Sequence, residues 1–570
     1  MIRAFSFVAM VTLALQGAGV CAGPWQERRI LGYGWDLLAA TPEVVLANAE
    51  AFDSSGLDGV FAEIRFKAGG KTFSSQTVAN DAPWPRAELE RQMLPSLREF
   101  PNHRGLRESL VGAWFMPQKR LGWNDDAAWA RFVGNMGELA RLSYSAGLKG
   151  LFIDTEDYAH QGQFSYRPGD DAPSYDEAAN LARERGREMA KAVFGEHPSA
   201  VLLATWFLSL RQGYALVEDV EGALRSGDLW PAFLNGMLDA APPTARFVDG
   251  CETGYGLDAE RNEFLLEAFR MRRGVERLVS PANRARFSEP FWSGFGMYLD
   301  MYVNPPGEAY HFGPAADGSR LTAFRHNLRQ AMDCASSGYV WVYGEKHSFV
   351  SWKSVPEKLG AFQWRWGEKL RKNVGRWEDA LPGLAQVLRV EKGGESALRD
   401  VVRRMRERHA FTNMLSNGSC RVDARCSAAL PKGFWDWTAP GSPKNVFSAD
   451  AMGGCGASGC IVAKGPANGV VCADAHVGAG DMIYASFRVR GDGASGSLAF
   501  KRNGKFVWKW PRVLLVFGEP DAEGWRRGEA FAQVPDGSDK AVLMGSVNLA
   551  AGGEVRFDDF EVAAVAIVGR

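Results

Sequence analysis

Short apolar runs alternate with amphipathic stretches between about residue 29 and residue 352. The runs have the length of strands, and the stretches between them repeat with the period of a helix. Eight such strand–helix units follow one another, and this order predicts an α/β fold, a (β/α)8 TIM barrel. An open doubly wound sheet is the alternative, but no glycine-rich phosphate loop follows the first strand.

The predicted elements of the barrel can be placed on the chain. Strands are expected at residues 30–35, 60–66, 110–116, 150–154, 200–207, 246–251, 293–302 and 339–343. Helices are expected to begin near residue 41 and to cover residues 86–100, 126–146, 175–193, 229–240, 260–271, 321–335 and 355–374. Residues 375–410 are rich in Arg, Lys and Glu and are predicted to form a helical extension.

The pattern changes after residue 410, where glycine clusters separate short alternating strands such as residues 482–489 and 555–562. A period of two predicts half-buried strands, and their spacing is typical of an all-β sandwich. The sequence therefore predicts three parts. They are a signal peptide (1–22), a catalytic barrel with its helical extension (23–410) and a β-sandwich (411–570).

Three short motifs mark this C-terminal region, namely residues 413–418 (Asn-Met-Leu-Ser-Asn-Gly), 480–484 (Gly-Asp-Met-Ile-Tyr) and 557–562 (Phe-Asp-Asp-Phe-Glu-Val). Together they resemble the jelly-roll carbohydrate-binding modules that are attached to many glycosidases. The resemblance covers roughly the last 155 residues. It implies a domain that binds carbohydrate, and it allows a structural calcium without locating one. The aromatic residues that either bind sugar or pack in the core are Trp435, Trp437, Trp508 and Trp510.

The first 22 residues have the features of a secretion signal. Arg3 supplies positive charge, residues 5–15 are apolar, and Val20-Cys21-Ala22 is a small-residue cleavage site. The apolar run is too short for a permanent span, so we expect no membrane span and a secreted or periplasmic protein. Export permits disulfides, for which the candidate pairs are Cys420–Cys426, Cys455–Cys460 and Cys460–Cys472.

Composition narrows the class of partner. The formal net charge of −1 over 570 residues argues against broad attraction to nucleic acid or to an anionic membrane. Nineteen Trp residues are many for this length. Their flat faces pack in protein cores, and they also suit the C–H faces of sugar rings. A polysaccharide or oligosaccharide is the expected partner.

Acidic residues stand where several predicted strands end. Asp154 and Glu156 close the fourth strand, Asp249 and Glu252 close the sixth, and Glu345 closes the eighth. Buried strands normally avoid ionised groups because a desolvated carboxylate is costly unless it is paired or neutralised. The active sites of barrel enzymes lie at the C-terminal ends of the strands. We therefore expect these acids to converge on one cleft.

The alternation of side chains along a strand predicts which face of the sheet carries these acids. Phe152 shares a face with Asp154 and Glu156, and Trp341 shares a face with Tyr343 and Glu345. In both strands the face that carries the acids is predicted to point toward the barrel axis or its mouth.

Two carboxyl groups on either side of a scissile bond are what glycoside hydrolysis requires. We predict that Glu156 is the general acid/base, that Glu345 is the nucleophile or base, and that Asp154 tunes Glu156. Glu252 is a further catalytic candidate. The stereochemical outcome expected is retention.

The fourth strand also resembles known sugar-cleaving barrels. Its Asp154-Thr155-Glu156 ending is similar to the Asp-x-Glu of chitinase-like enzymes, in which the Glu protonates the leaving oxygen. Lys149 and Phe152 stand where that family has two earlier Asp residues, which departs from the pattern. The α-galactosidase-like and α-glucosidase-like barrels instead place an Asp nucleophile where Asp154 lies and an acid on strand six, as Glu252 would be.

Further residues near the strand ends are predicted to contact substrate, and a metal site is not predicted because no His-x-x-x-His pair occurs. The substrate-binding candidates are Glu63, Trp341, Tyr343, Asp249, His347 and Trp35. The predicted function is a secreted glycoside hydrolase without a cofactor. The alternatives are a glycan-binding protein without catalysis and a polysaccharide lyase.

Overall fold

The computed structural model describes residues 28–169, 174–225, 227–315, 318–352, 375–420, 430–438, 446–455, 458–478, 481–507, 513–535 and 537–565. The predicted signal peptide, the helix expected at residues 355–374, Cys426, Trp508 and Trp510 lie outside the described residues. The chain divides into two compact units. The first consists of Met1–Gly313 and Ala323–Lys392, and the second consists of Pro314–Thr322 and Gly393–Arg570.

The first unit is a mixed α/β structure. Its strands are β1 (Arg29–Gly34), β2 (Gly59–Ala62), β3 (Arg65–Ala68), β4 (Lys71–Ser74), β5 (Leu110–Trp114), β6 (Gly150–Asp154), β7 (Val201–Ala204), β8 (Arg246–Asp249), β9 (Phe291–Ser293), β10 (Phe295–Tyr298) and β11 (Tyr339–Gly344). Nine of them form a nearly closed parallel sheet in the order β10-β11-β1-β2-β5-β6-β7-β8-β9, and β3 pairs with β4 in a separate antiparallel hairpin.

Helices alternate with these strands, close to the predicted ranges. They are α1 (Trp35–Ala39), α2 (Pro42–Leu46), α3 (Ala49–Ser55), α4 (Arg86–Leu97), α5 (Asp126–Ser145), α6 (Tyr175–Glu196), α7 (Gln212–Ala215), α8 (Val220–Arg225), α9 (Trp230–Ala240), α10 (Glu263–Arg272), α11 (Pro281–Phe287), α12 (Arg320–Cys334), α13 (Trp377–Ala380) and α14 (Leu384–Glu407). Side chains fix the starts of two of them: Asp125 caps α5, and Ser174 with Glu177 forms a capping box at α6.

The seventh predicted strand differs from the expectation. Residues 293–302 do not form one strand; β9 pairs with β8, β10 pairs with β11, and Gly294 separates the two. A side chain at Gly294 would crowd Val248 and the carbonyl oxygen of Tyr339, so the chain passes close to both neighbouring strands at this point. The residues from Leu299 to Tyr302 form a 3-10 helix instead of more strand. The sheet consequently has nine strands rather than eight.

The second predicted strand is also shorter than expected. It leaves the ladder after Ala62, and the following residues turn into the hairpin β3–β4. Ile64 donates its backbone N–H to the hydroxyl of Ser75 and not to a neighbouring barrel strand.

Alternate residues of the strands fill the centre of the barrel, as the predicted alternation requires. Phe61 stacks on Phe152 with ring centroids 3.7 Å apart, and the buried ring of Trp341 lies 5.9 Å from that of Phe152. The prediction that Phe152 and Trp341 share the inward-facing side of their strands is confirmed. This packed layer is the base on which the residues at the C-terminal ends of the strands rest.

The second unit is an antiparallel β-sandwich, as predicted. Its strands are β12 (Phe434–Thr438), β13 (Phe447–Asp450), β14 (Cys460–Lys464), β15 (Ala467–His476), β16 (Met482–Arg490), β17 (Ala494–Arg502), β18 (Lys505–Phe506), β19 (Val513–Leu514), β20 (Val516–Phe517), β21 (Arg526–Gln533), β22 (Lys540–Leu549) and β23 (Glu554–Ala564). One sheet has the order β12-β15-β22-β17-β18 with β19 beside β17, and the other has the order β13-β14-β23-β16-β21-β20.

The sandwich core takes apolar side chains from both sheets, including Val471 and Leu543 from one and Phe487 and Phe557 from the other. Its cysteines are not paired as expected. Cys455 and Cys460 carry free thiols, so the predicted pairs Cys455–Cys460 and Cys460–Cys472 are wrong. Cys460 packs beside the ring of Trp525, whereas Cys472 belongs to a different apolar cluster with Val542.

Helices α6 and α9 pack through glycines. A side-chain Cβ at Gly186 of α6 would overlap the carbonyl oxygen of Phe233, and one at Gly236 of α9 would overlap the carbonyl oxygen of Arg183. Because these contacts are to backbone, neither can be relieved by turning a side chain. The two helices are therefore in backbone contact, which only glycine permits.

We expect Gly186→Ala to lower the free energy of unfolding by roughly 1–3 kcal/mol, because the extra methyl group separates α6 from α9. Gly195→Ala is the matched control, since Gly195 lies in the same helix with no atom within 4 Å of the added Cβ. That control is expected to be neutral or to stabilise by up to about 1 kcal/mol. Urea unfolding followed by circular dichroism measures both, and equal effects of the two substitutions would contradict the close packing.

Candidate active site

Three of the five acids predicted to converge line one cavity. A cavity of about 680 Å³ at the C-terminal ends of the strands is lined by Glu156, Glu252 and Glu345. They follow β6, β8 and β11, respectively. Asp154, the last residue of β6, is buried and lies next to Glu156. None of the described residues that line this cavity is an Arg, Lys or His.

Asp154 is held by hydroxyl groups. Its Oδ2 accepts hydrogen bonds from the phenol of Tyr33 at 3.0 Å and from that of Tyr158 at 3.1 Å. Its Oδ1 accepts the backbone N–H of Glu156 at 3.0 Å. Burial raises the pKa of Asp154 to about 7, and the negative charge of Glu156 adds to the rise, although the three hydrogen bonds oppose it.

Glu252 is placed by a sharp turn at the end of β8. Cys251 adopts a left-handed conformation with φ 41° and ψ 67°, and a 3-10 helix begins at Glu252. This conformation is uncommon for a residue other than glycine and is typical of functional sites. The pKa of Glu252 is raised to about 10. Burial is the main cause, and the negative charges of Glu156 and Asp154 also contribute. Glu252 therefore holds a proton at neutral pH.

Glu345 enters the cavity from β11. Its Oε1 accepts a hydrogen bond from the phenol of Tyr343 at 2.9 Å, and Tyr343 in turn accepts one from the indole N–H of Trp35. The backbone N–H of Glu345 donates to Asp300 Oδ2 at 2.8 Å, which fixes the turn after the strand. Burial raises the pKa of Asp300 to about 6. The negative charge of Glu345 also contributes to raising the pKa of the neighbouring Tyr298.

The predicted substrate-binding residues divide into two groups. Trp35 and Tyr343 line the cavity. Trp341 does not: it is buried in the layer below, where its indole N–H donates to the carbonyl oxygen of Gly250 at 2.9 Å. His347 is also away from the cavity lining and packs edge-on against Trp377 with ring centroids 4.8 Å apart.

Two predicted acids serve the structure around the cavity. Glu63 is buried and accepts hydrogen bonds from the hydroxyls of Ser74 and Ser75 in the hairpin, and its carboxylate lies 3.5 Å from Arg65. Asp249 is buried. It accepts hydrogen bonds from the backbone N–H groups of Leu208 and Ser209 and from the hydroxyl of Ser209, all in the loop after β7. Neither belongs to the cavity lining, so the structure does not bring them together with the glutamates of the cavity.

Sequence reasoning overlooked the tyrosines of the site. Tyr33, Tyr158, Tyr255, Tyr298 and Tyr310 line the cavity together with Tyr343. The sequence contained a signal for Tyr33, because this residue lies two positions after the inward-facing Leu31 in β1 and so shares its face. The others lie outside the regular strand positions or at a strand end, and alternation cannot place them. Trp114, the last residue of β5, and Trp206, two residues past the end of β7, complete the aromatic wall.

Within the described part of the chain, no helix is long and apolar enough to cross a membrane. The same residues contain no group of three or more His, Cys, Asp and Glu side chains arranged to hold a metal ion.

No protein-family model matches the chain, and no curated protein is similar to it. Among solved structures, it is similar to part of the enzymatically active domain of tailspike protein 4 of bacteriophage CBA120, with 14% identity, a TM-score of 0.22, and 27% of this chain and 21% of that chain covered. It is also similar to the CBM22-1 and GH10 modules of the Clostridium thermocellum endo-1,4-beta-D-xylanase 10B, with 12% identity, a TM-score of 0.19, and coverage of 24% and 26%.

A third similar structure is TmCBM61 in complex with beta-1,4-galactotriose, with 13% identity, a TM-score of 0.20, and coverage of 27% of this chain and 99% of that chain. The structural neighbours are thus glycoside hydrolase and carbohydrate-binding module domains. The chain spans only about a fifth to a quarter of the length of the first two. At these TM-scores the likeness carries no argument about activity, which has to come from the site itself.

The raised pKa of Asp154 makes folding stability depend on pH. Its ordinary pKa is 3.8 and its folded value is about 7, so between pH 4 and pH 7 the unfolded chain releases a proton that the folded chain keeps. The ionisation of Asp154 therefore lowers the free energy of unfolding by up to about 4 kcal/mol as the pH rises from 4 to 7. Asp154→Asn cannot ionise, and its amide oxygen still accepts from a tyrosine. We expect the stability of this variant relative to wild type to improve steadily from pH 4 to pH 8.

Thermal unfolding at a series of pH values measures this difference. The exposed Glu289→Gln variant, whose carboxyl stands just before β9, is the control and should follow the wild-type curve. Parallel curves for Asp154→Asn and wild type would show that Asp154 ionises normally in the folded protein.

Proposed function

We propose that this protein is an exported glycoside hydrolase that cleaves a poly- or oligosaccharide by carboxyl acid/base catalysis with retention. In this proposal the first unit is a (β/α)8 barrel whose seventh strand is broken at Gly294, and the predicted N-terminal signal directs secretion or delivery to the periplasm. One observation carries it: three glutamates from separate strand ends line one aromatic-walled cavity. Burial raises the pKa of Glu252 among them, which supports a role for that residue as a proton donor.

The proposed roles follow from the protonation of the group. The side chains of Glu156 and Glu252 are hydrogen-bonded to each other. This pair supplies the proton to the glycosidic oxygen as the bond from that oxygen to C1 breaks. The sequence assigned this role to Glu156 alone; the raised pKa of Glu252 favours Glu252 as the group that carries the proton. Glu345 forms the bond to C1, and water then releases the sugar while the Glu156–Glu252 pair takes the proton of the water.

Asp154 is a positioning residue in this scheme. It contacts Glu156 through the backbone N–H of that residue, and the hydroxyls of Tyr33 and Tyr158 hold it in place. Because its own pKa is about 7, it changes the charge beside Glu156 within the neutral range. Tyr343 has the matching role for Glu345, as the donor that orients the carboxylate.

The lining also bears on the substrate class. Rings such as Trp114, Trp206 and Tyr255 offer flat faces to sugar rings, and the acidic groups offer acceptors to hydroxyls. The absence of a cation among the described lining residues disfavours uronic acids and sulfated sugars, because nothing there would neutralise their charge. This argues against a polysaccharide lyase, which acts beside a uronic carboxylate. We propose a neutral or amino-sugar glycan as the substrate.

The second unit is proposed to bind the same class of glycan. On β12, the ring of Trp437 is 54% exposed, which suits stacking on a sugar. Trp435 on the same strand is half-buried, with the Lys501 ammonium 4.5 Å from its ring centroid and its indole N–H bonded to Asp474. Trp437 is thus the better candidate for contact with a ligand, and Trp435 is held by its own partners.

We expect Glu156→Gln and Glu345→Gln each to lower kcat by roughly 10²–10⁴-fold, because each removes a carboxyl group from the reaction while keeping the side-chain shape. Reducing-sugar release from xylan, β-1,4-galactan, arabinan and chitosan measures the loss. Affinity electrophoresis in gels containing the same glycans should show binding largely retained. Glu289→Gln, which alters an exposed carboxyl away from the cavity, should keep full activity.

Two results would count against this function. Hydrolysis by both variants at the wild-type rate would remove the catalytic assignment. Binding of a glycan by the wild-type protein with no cleavage of any of the four would favour a glycan-binding protein without catalysis.

The pH profile tests the proton carried by Glu252. Because its folded pKa is about 10, the acid stays protonated until the pH approaches that value, and we expect kcat/KM to fall only above about pH 9. Glu252→Gln should remove this fall. It should also slow cleavage of a polysaccharide far more than cleavage of a 4-nitrophenyl glycoside, whose leaving group needs no proton. A loss of kcat/KM that begins near pH 5 and continues as the pH rises would contradict the assignment of the proton to Glu252.

A further inference from the structure

A second cavity, of about 720 Å³, borders the candidate active site. It shares three lining residues with the first cavity, namely Glu156, Tyr158 and Trp206. Each cavity has the size of a small-molecule binding pocket. Glu156, one of the two carboxyls proposed to deliver the proton, therefore stands where the two cavities meet.

The wall of the second cavity is fixed by many hydrogen bonds. Asp157 accepts the backbone N–H groups of Gln161 and Gly162, which shapes the loop after β6. The guanidinium of Arg120 donates to the carbonyl oxygens of Gly162 and Ser165 in the same loop. The cavity is thus built before any ligand arrives, which lowers the cost of binding.

Among the described residues that line it, the chemistry is polar, and the arginine is compensated by an acid. Arg211 is paired with Asp228 at 3.1 Å, and its guanidinium also lies over the ring of Trp230. His160 is exposed, and the half-buried ring of Tyr214 faces the cavity from α7. Hydroxyl-rich neutral sugars suit such a lining, whereas the first cavity is more aromatic.

We infer that the two cavities are successive subsites of one cleft, so that a glycan chain lies across Glu156 and is cut within its length. This inference rests on the proposed function and adds the substrate class: an unbranched neutral or amino-sugar polysaccharide with sugar units bound on both sides of the scissile bond. A cavity on one side of the catalytic group alone would suit removal of a terminal sugar. Two preformed cavities that share Glu156 suit an endo-acting enzyme.

The test compares chain lengths. Wild-type protein is incubated with xylan, β-1,4-galactan, arabinan and chitosan, and with borohydride-reduced oligosaccharides of two to eight units made from each. We expect early products of intermediate length from the cleaved polysaccharide, and kcat/KM that rises with the number of units. Tyr214→Ala is expected to lower kcat/KM on the eight-unit chain by roughly tenfold, the loss of one aromatic contact. Cleavage of the corresponding 4-nitrophenyl monosaccharide should change little, because it does not extend into the second cavity.

Tyr144→Ala is the matched control. Tyr144 is 58% exposed on α5 and lines neither cavity, so its loss should leave all rates unchanged. Release of only mono- or disaccharides from chain ends, or rates independent of chain length, would overturn the inference while leaving the hydrolase itself in place. The same holds if Tyr214→Ala and Tyr144→Ala behave alike. Cleavage of none of these substrates would overturn the inference and the proposed function together.

Discussion

The burial of carboxyl groups at the ends of parallel strands is the constraint on which the site depends. Removing a carboxylate from water is costly, and most proteins offset the cost with a cation. Here Asp154 is surrounded by the phenols of Tyr33 and Tyr158 instead, which donate hydrogen bonds without adding charge. The pKa values of Asp154 and Glu252 therefore rise to about 7 and about 10, and protons remain in the site. A cation in the same place would have expelled them.

The alternation of side chains along strands was sufficient to place the acids of two strands, β6 and β11. Phe152, Asp154 and Glu156 follow one another at every second position, and the first of them packs in the barrel centre while the last reaches the cavity. The same rule placed Tyr343 and Glu345. It failed for Asp249 and Glu63, because alternation gives the face of a strand but not the hydrogen-bond partners that loops bring to it.

Those partners come from segments that no local pattern connects to the strands. The loop after β7 donates to Asp249, and the hairpin β3–β4 supplies serines to Glu63. The break in the seventh strand was equally hidden, since residues 291–298 read as one apolar run and only the close approach of the neighbouring strands to Gly294 divides it. The helices were easier to predict, because their period is a local property of the sequence.

The distribution of charge also limits what each cavity can recognise. In the first cavity, the raised pKa of Glu252 favours a proton on that carboxyl, which lowers its repulsion with Glu156. The cavity therefore presents acids and phenols that exchange hydrogen bonds with hydroxyl groups. In the second, Arg211 is already neutralised by Asp228 and offers little attraction to an added anion. Selectivity in both cavities must then come from the placement of rings and hydrogen-bonding groups. A polymer chain with the same sugar units along its length would find compatible chemistry on both sides of Glu156. A single terminal sugar would occupy only one of the two cavities.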